Sequence, residues 1–118
     1  MNLYSRGDVI LVGLNSDVSP KAANPIVRPA VVVSSDTLNS NLNTIIVCPI
    51  IEANGVSESR IGATFVHSDI MGLGKNCIVL SFQIRSIDKN RVTRRVGSLP
   101  EIYLKQVQEG LIAALEIE

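Results

Sequence analysis

An arginine followed by a proline stands where a polar segment gives way to an apolar one, in the run Val27-Arg-Pro-Ala30. The proline ring fixes the local backbone and removes one amide donor, so it stiffens this position and delays strand pairing. The guanidinium of Arg28 is planar and permanently charged, which suits a phosphate group. Two interpretations follow from the residues alone. Arg28 binds a phosphate, or it is a surface arginine paired with a carboxylate such as Asp36.

Metal and cofactor chemistry is not indicated by the remaining reactive residues. The single histidine, His67, and the separated cysteines, Cys48 and Cys77, give no set of metal ligands. Gly72 and Gly74 lack the context of a dinucleotide-binding loop and are typical of a turn. We therefore expect no metal and no cofactor, an outward-facing strand histidine and two inert core thiols.

Composition limits the classes of protein to be considered. The chain has 118 residues, of which 46% are hydrophobic and 19% charged, so we expect one folded domain over residues 1–118. Eleven basic residues balance eleven acidic ones, which argues against coating of nucleic acid by bulk positive charge. Because no segment resembles a signal peptide or a membrane span, we expect a cytoplasmic protein without membrane association.

The elements that must position Arg28 are mostly short strands. Apolar runs rich in β-branched residues predict strands over 9–14, 30–34, 44–48 and 77–82, with further strands at 63–67, 83–88 and 94–97. Segments 15–25, 35–43 and 52–60 are rich in turn-forming residues and predict loops. Several short strands at this spacing favour a small barrel.

One helix is predicted, at the end of the chain. Ser98 and Glu101 have the spacing of a capping box, which predicts that the helix begins there. Apolar residues then recur at intervals of three and four and form one stripe: Leu104, Val107, Leu111 and Leu115. Gly110 weakens such a helix by about 1 kcal/mol relative to alanine, so packing against the barrel must hold it in place.

Positive charge is concentrated in one segment. Residues 85–95 contain five basic side chains against Asp88 alone, whereas the predicted helix is acidic. This pattern is typical of an edge strand protected from pairing by cations. It also allows a local contact with nucleic acid.

The order of five segments resembles a known family. They begin at Arg6-Gly-Asp, Arg28-Pro-Ala, Thr44-Ile-Ile, Val79-Leu-Ser and Val96-Gly-Ser. Together, from Arg6 to about Leu115, the chain is similar to the MazF/PemK (Kid) family of toxins from bacterial toxin–antitoxin modules.

The resemblance implies a mainly β, α+β fold: an SH3-like small barrel of the PemK/CcdB toxin type with a C-terminal helix. It implies a homodimer that cleaves single-stranded RNA without a metal, at specific short sequences, and a neutralising cognate antitoxin. Arg28 matches the family's arginine of the Arg-Pro step and is assigned to phosphate binding and catalysis. Gln83 and Arg85 match the family's Gln-Ile-Arg and are expected RNA-binding residues, as is Lys21, although its loop departs from the family's usual motif.

The sequence departs from the family at positions that carry chemistry. Ile51 stands where a catalytic hydroxyl is expected, and Phe82 where an acidic residue is common. Glu52 and Ser81 are the nearby candidates for replacing the missing acid or base. Two alternatives follow: a member that binds nucleic acid or antitoxin without cleaving, and an adaptor domain that shares only the fold.

Overall fold

The computed structural model describes residues 4–13 and 26–117. These residues form seven strands, two α-helices and two single turns of 3-10 helix. The strands are β1 (Asp8–Gly13), β2 (Val27–Val32), β3 (Thr44–Glu52), β4 (Ala63–Val66), β5 (Cys77–Leu80), β6 (Arg85–Asp88) and β7 (Val92–Ser98). The helices are α1 (Asp36–Asn41) and α2 (Glu101–Leu115), and the 3-10 turns are Ser81–Gln83 and Lys89–Arg91.

The strands form one antiparallel sheet in the order β4-β5-β3-β2-β1-β7, with β6 also paired to β3. Strand β3 is shared, since its first half pairs with β6 and its last three residues pair with β5. The sheet does not close on itself within the described residues, because β4 and β7 remain at its ends. The predicted mainly β fold with a C-terminal helix is confirmed, as an open form of the small barrel.

The alternation of side chains along the strands creates two cores. Val9, Val31 and Cys48 belong to the first core, which also takes Leu104 and Val107 from α2. Their sequence neighbours face the other way and form a second core: Ile10, Val12, Ala30, Val32, Ile45, Val47 and Ile87. Both faces of the central strands are therefore buried, which explains why these strands read as continuous apolar runs.

Helix α2 lies on the first core through a narrow apolar stripe. Leu104 and Val107 are buried, and Leu111 packs against the same cluster. Leu115 is 48% exposed, so the predicted stripe ends one turn early. No helix in residues 4–13 and 26–117 is long and apolar enough to cross a membrane.

The predicted capping box is wrong. Helix α2 begins after Pro100, which has no side-chain oxygen to cap it. Ser98 is the last residue of β7, and its hydroxyl accepts a hydrogen bond from Arg95 at 2.8 Å. The strand therefore continues through the position that the motif assigned to the cap.

Two other local predictions also differ from the structure. Segment 35–43 contains the short helix α1, capped by the Ser35 hydroxyl, which accepts from the Leu38 amide. The side chain of Asn39 is buried and bonds to Ser34, so a tertiary contact stabilises a segment whose composition favours a loop. The strand predicted over 77–82 ends at Leu80, where the chain enters a 3-10 turn.

Candidate functional site

A cleft opens where β2 and β3 separate. Their ladder joins Ala30 to Pro49, Val31 to Cys48 and Val32 to Val47, and it ends at the first of these pairs. Pro29 and Pro49 have no amide donors, so they cannot extend the ladder on this side. Beyond Pro49, β3 pairs with β5 instead, starting at Ile50. The two prolines thus help to keep the strands apart and leave a depression between them.

This depression, which we call the Arg28 cleft, has a volume of about 490 Å³. Its walls come from β2, from the end of β3 and from the segment before β5. Most of the lining is apolar, and its charged members are Arg28, Glu52 and Lys75. An apolar pocket of this size with a few converging polar groups is typical of a small-ligand site.

Arg28 is exposed at the rim of the cleft. The one hydrogen bond that its side chain makes among the described residues runs to the carbonyl of the preceding residue, Val27, at 3.4 Å. Asp36, the carboxylate considered as its partner, accepts instead from the Arg6 amide at 3.0 Å. Of the described carboxylates, none lies within ion-pairing distance of Arg28. Its charge is therefore available to a ligand.

A second, much smaller depression shares Arg28 with the first. Arg85 and Arg91 line it together with Pro29 and Pro49. The Arg91 side chain donates to the Gly13 carbonyl at 3.0 Å, which fixes that guanidinium against β1. Arg28 therefore stands between a depression bordered by arginines and a cleft that holds Glu52 and Lys75.

The structure distributes the predicted site residues unequally. Arg28 and Glu52 line the Arg28 cleft, and Arg85 lines the adjacent depression. Gln83 is exposed and lines neither. Lys21 lies outside the described residues.

Ser81 does not face the cleft. Its side chain is fully buried, and its hydroxyl donates to the Val107 carbonyl of α2 at 3.0 Å. The hydroxyl thus serves the contact between the 3-10 turn and the helix, so we drop Ser81 as a candidate acid or base.

Lys75 is the residue in the cleft that sequence reasoning missed. It follows Gly72 and Gly74 in a segment assigned only to a turn, and it was not singled out by any motif. The fold brings this segment beside β3, so that Lys75 lines the same cleft as Arg28 and Glu52, which are distant from it in sequence.

Most of the basic segment over 85–95 has structural partners. Arg95 forms an ion pair with the buried Asp8 at 2.9 Å, and Lys89 donates to the backbone carbonyl of Asn39. Arg94 and Arg95 lie on β7, which is an end strand of the sheet. This arrangement agrees with the edge-protection interpretation. Arg85, by contrast, forms no ion pair with a described carboxylate and borders the same depression as Arg28.

The remaining reactive residues lie apart from the rim of the cleft or are buried. His67 is exposed and paired with Asp69 at 2.9 Å, and its hydrogen bond holds the pKa of that carboxyl below its usual value. Burial raises the pKa of the Cys48 thiol to about 12 and also raises that of Cys77. The described part of the chain contains no group of three or more His, Cys, Asp or Glu side chains able to hold a metal ion.

Comparison with known proteins gives the site a family context. The chain is 31% identical over 116 residues to the endoribonuclease MazF of Staphylococcus epidermidis, covering 96% of this chain and 92% of the relative. It is 29% identical, with the same coverage, to the endoribonuclease MazF of Staphylococcus saprophyticus.

Solved structures share the fold at low sequence identity. A mycobacterial endoribonuclease in complex with its cognate antitoxin matches with a TM-score of 0.74 at 15% identity, over 100% of this chain and 98% of that one. MazF from Deinococcus radiodurans also matches with a TM-score of 0.74, at 18% identity over 97% of each chain. The family model of PemK-like, MazF-like toxins matches residues 5–115, so the chain belongs to this family of toxins of type II toxin-antitoxin systems.

Proposed function

We propose that this protein is a toxin that cleaves single-stranded RNA at specific short sequences, through attack of a ribose 2′-hydroxyl on the adjacent phosphate and without a metal. Family membership and the staphylococcal endoribonucleases support this function. The observation that carries it is the exposed guanidinium of Arg28, free of any described carboxylate, at the border of two depressions.

The reaction requires stabilisation of negative charge on phosphorus. The 2′-oxygen forms a bond to phosphorus, and the bond from phosphorus to the 5′-oxygen of the next nucleotide breaks. The downstream fragment leaves with a 5′-hydroxyl end after its oxygen takes a proton from water, and the upstream fragment keeps the 2′,3′-cyclic phosphate. As charge builds on the phosphoryl oxygens, Arg28 donates hydrogen bonds to them. A positioned donor of this kind typically contributes about 10²–10³ in rate.

Proton transfer from the 2′-hydroxyl needs a base in the same cleft. Glu52 is the one carboxylate among the described residues that line the cleft, and no described cation lies within ion-pairing distance of it. We assign it as the general base that accepts this proton. Ile51, which stands at the position of the expected hydroxyl, is also in the cleft but has no group that moves a proton.

The proposed partners are a second copy of the chain and an antitoxin. One domain of this size offers little concave surface, whereas two joined copies would create a groove long enough for several nucleotides. The antitoxin proposal is supported by the structures of similar fold, one of which is a complex of an endoribonuclease with its cognate antitoxin.

A second candidate function has an observation in its favour. Ile51 is 46% exposed in the cleft and Phe82 is 57% exposed, so two apolar side chains occupy positions of expected catalytic groups. Loss of a general acid or base costs about 10²–10⁴ in rate. A member without adequate replacement would bind RNA or antitoxin but not cleave.

The test is to incubate the purified protein with a long single-stranded RNA in excess chelator and to map the ends of the products. Discrete cuts that leave 2′,3′-cyclic phosphate and 5′-hydroxyl ends are expected. Intact RNA with measurable binding would support the second candidate instead. Cleavage that disappears with the chelator would contradict the metal-independent reaction.

A further inference from the structure

Lys75 lines the Arg28 cleft together with Glu52, although the resemblance to the toxin family assigns it no role. We propose that Lys75 is a second cation that holds the RNA backbone, binding a phosphate adjacent to the one held by Arg28. This inference rests on the proposed function, because it requires the cleft to take RNA.

The backbone that leads to Lys75 is anchored against β7. Gly97 has no side chain, and a Cβ built there would come within 2.5 Å of the Met71 carbonyl oxygen. Gly72 has a φ of +79°, and its own Cβ would lie 3.0 Å from the Val96 carbonyl oxygen. Met71 itself is only 2% exposed and belongs to the first core. The segment therefore packs closely on the sheet three residues before Lys75.

The backbone after Lys75 is held as firmly. The backbone carbonyl of Asn76 accepts a hydrogen bond from the Ala53 amide at 3.0 Å. The side-chain oxygen of Asn76 accepts another from the Ser68 amide at 2.8 Å. The carbonyl of Lys75 accepts a hydrogen bond from the Cys77 thiol at 3.2 Å. A side chain that starts from a fixed backbone loses less conformational freedom when it binds a ligand.

Lys75 gives the Arg28 cleft itself a net positive charge. Arg28 and Lys75 provide two positive charges against one negative charge on Glu52. Lys75 forms no ion pair with a described carboxylate, so its charge is not already neutralised. Without it, the cleft would be neutral overall and would not attract a polyanion through net charge.

The size and lining of the cleft allow more than a single phosphate. Its volume of about 490 Å³ and its apolar residues, among them Leu11, Ile50 and Leu73, leave room for a sugar or base beside the backbone. Two cations in one such cleft suit consecutive phosphates of one strand better than a double contact with one phosphate, for which a single arginine fork suffices.

The experiment uses an uncleavable probe, a single-stranded oligonucleotide with 2′-O-methyl groups, so that binding is measured independently of catalysis. Its affinity is compared for the unaltered protein, Lys75→Ala, Lys75→Arg and the control Lys105→Ala, whose side chain lies exposed on α2. Thermal unfolding of each variant checks that the fold is intact. The salt dependence of the affinity reports how many phosphates are neutralised.

Lys75→Ala should weaken binding about three- to tenfold at moderate salt and should make the slope of log affinity against log salt shallower by about 0.7, the value for one phosphate on a single strand. Lys75→Arg should retain the affinity and the slope of the unaltered protein, and Lys105→Ala should change neither of these quantities. Equal affinities and slopes for Lys75→Ala and Lys105→Ala would overturn the role of Lys75 alone. Failure of the unaltered protein to bind any oligonucleotide would overturn the RNA-binding function, and this inference with it.

Discussion

A methyl group on Gly110 would come within 2.7 Å of the Ser81 hydroxyl oxygen and 3.0 Å of the Ser81 Cβ. Helix α2 therefore approaches the 3-10 turn after β5 more closely than any residue with a side chain at position 110 would permit. The same approach lets Ser81 donate to the Val107 carbonyl. Gly110, which lowers helix propensity, thus lies where the close approach of the turn leaves little room for a side chain.

Gly110→Ala should destabilise the protein although alanine is the better helix former. Overpacking of this kind costs about 1–3 kcal/mol, and contacts of 2.7 and 3.0 Å place Gly110 toward the upper end, above the gain of about 1 kcal/mol in propensity. Urea unfolding measures the difference. The control Glu109→Ala, on the exposed side of the same helix, should change stability by less than about 0.5 kcal/mol. A stabilised Gly110→Ala variant would show that the contact with Ser81 yields easily.

Stability should depend on Cys48 at alkaline pH. Burial raises the pKa of this thiol to about 12 in the folded protein, whereas an unfolded cysteine titrates near about 8.5. As pH rises above the unfolded value, the unfolded chain loses the proton first, so the free energy of unfolding falls. The loss continues until the pH reaches the folded value.

Cys48→Ala should remove part of this dependence. The variant leaves a small cavity, so the slope of stability between pH 8 and pH 10 is the quantity to compare, rather than its absolute value. Cys77 retains its own contribution, because burial also raises its pKa. Equal slopes for the two proteins would contradict a buried, neutral Cys48.

Glu52→Gln tests the assignment of the general base. The amide keeps the shape of the side chain but accepts a proton poorly, so cleavage should slow by about 10²–10⁴ while RNA binding persists. Single-turnover kinetics with saturating protein separate the two effects. Glu58→Gln is the matched control, since Glu58 is exposed and does not line the cleft. Equal rates for both variants would remove Glu52 from the mechanism.

Arg85 should contribute to binding without taking part in the chemical step. It lines the smaller depression beside Arg28, so Arg85→Ala should weaken affinity for the uncleavable oligonucleotide and reduce the salt slope by about 0.7. For the unaltered protein we expect a slope of log affinity against log salt of about −2, because three cations, Arg28, Lys75 and Arg85, each neutralise one phosphate. A slope steeper than about −4 would mean that many more cations reach the strand.

The strands were predictable because their signals are local. Runs such as 44–48 combine β-branched residues with burial on both faces, and they lie in strands of the structure. Arg28 was identifiable because of its proline neighbour, but the expected delay in strand pairing is wrong: β2 begins at Val27 and pairs with β1 through both residues, since Pro29 interrupts only the side that faces β3. The order of the five segments then indicated the toxin family, and the family match over residues 5–115 agrees with that interpretation.

The features that escaped prediction depend on contacts between distant segments. The sequence predicts Ser81 as a strand residue beside the site, but the packing of α2 against the turn buries it. The composition of segment 35–43 predicts a loop, but the burial of Asn39 stabilises a short helix there. Lys75 gained its place only because β5 pairs with the end of β3 and brings the preceding turn to the cleft. None of these relations has a local sequence signal.

The single-turnover cleavage rate of Arg28→Ala is the sharpest test of the role of Arg28 in stabilising charge on the phosphate. Arg60→Ala is the matched control, because Arg60 is exposed and lines a separate depression beside α2. We expect a loss of about 10²–10³ in rate for Arg28→Ala, a smaller loss for Arg28→Lys, and no loss for Arg60→Ala. An Arg28→Ala protein that cleaves RNA as fast as the Arg60→Ala control would contradict this role.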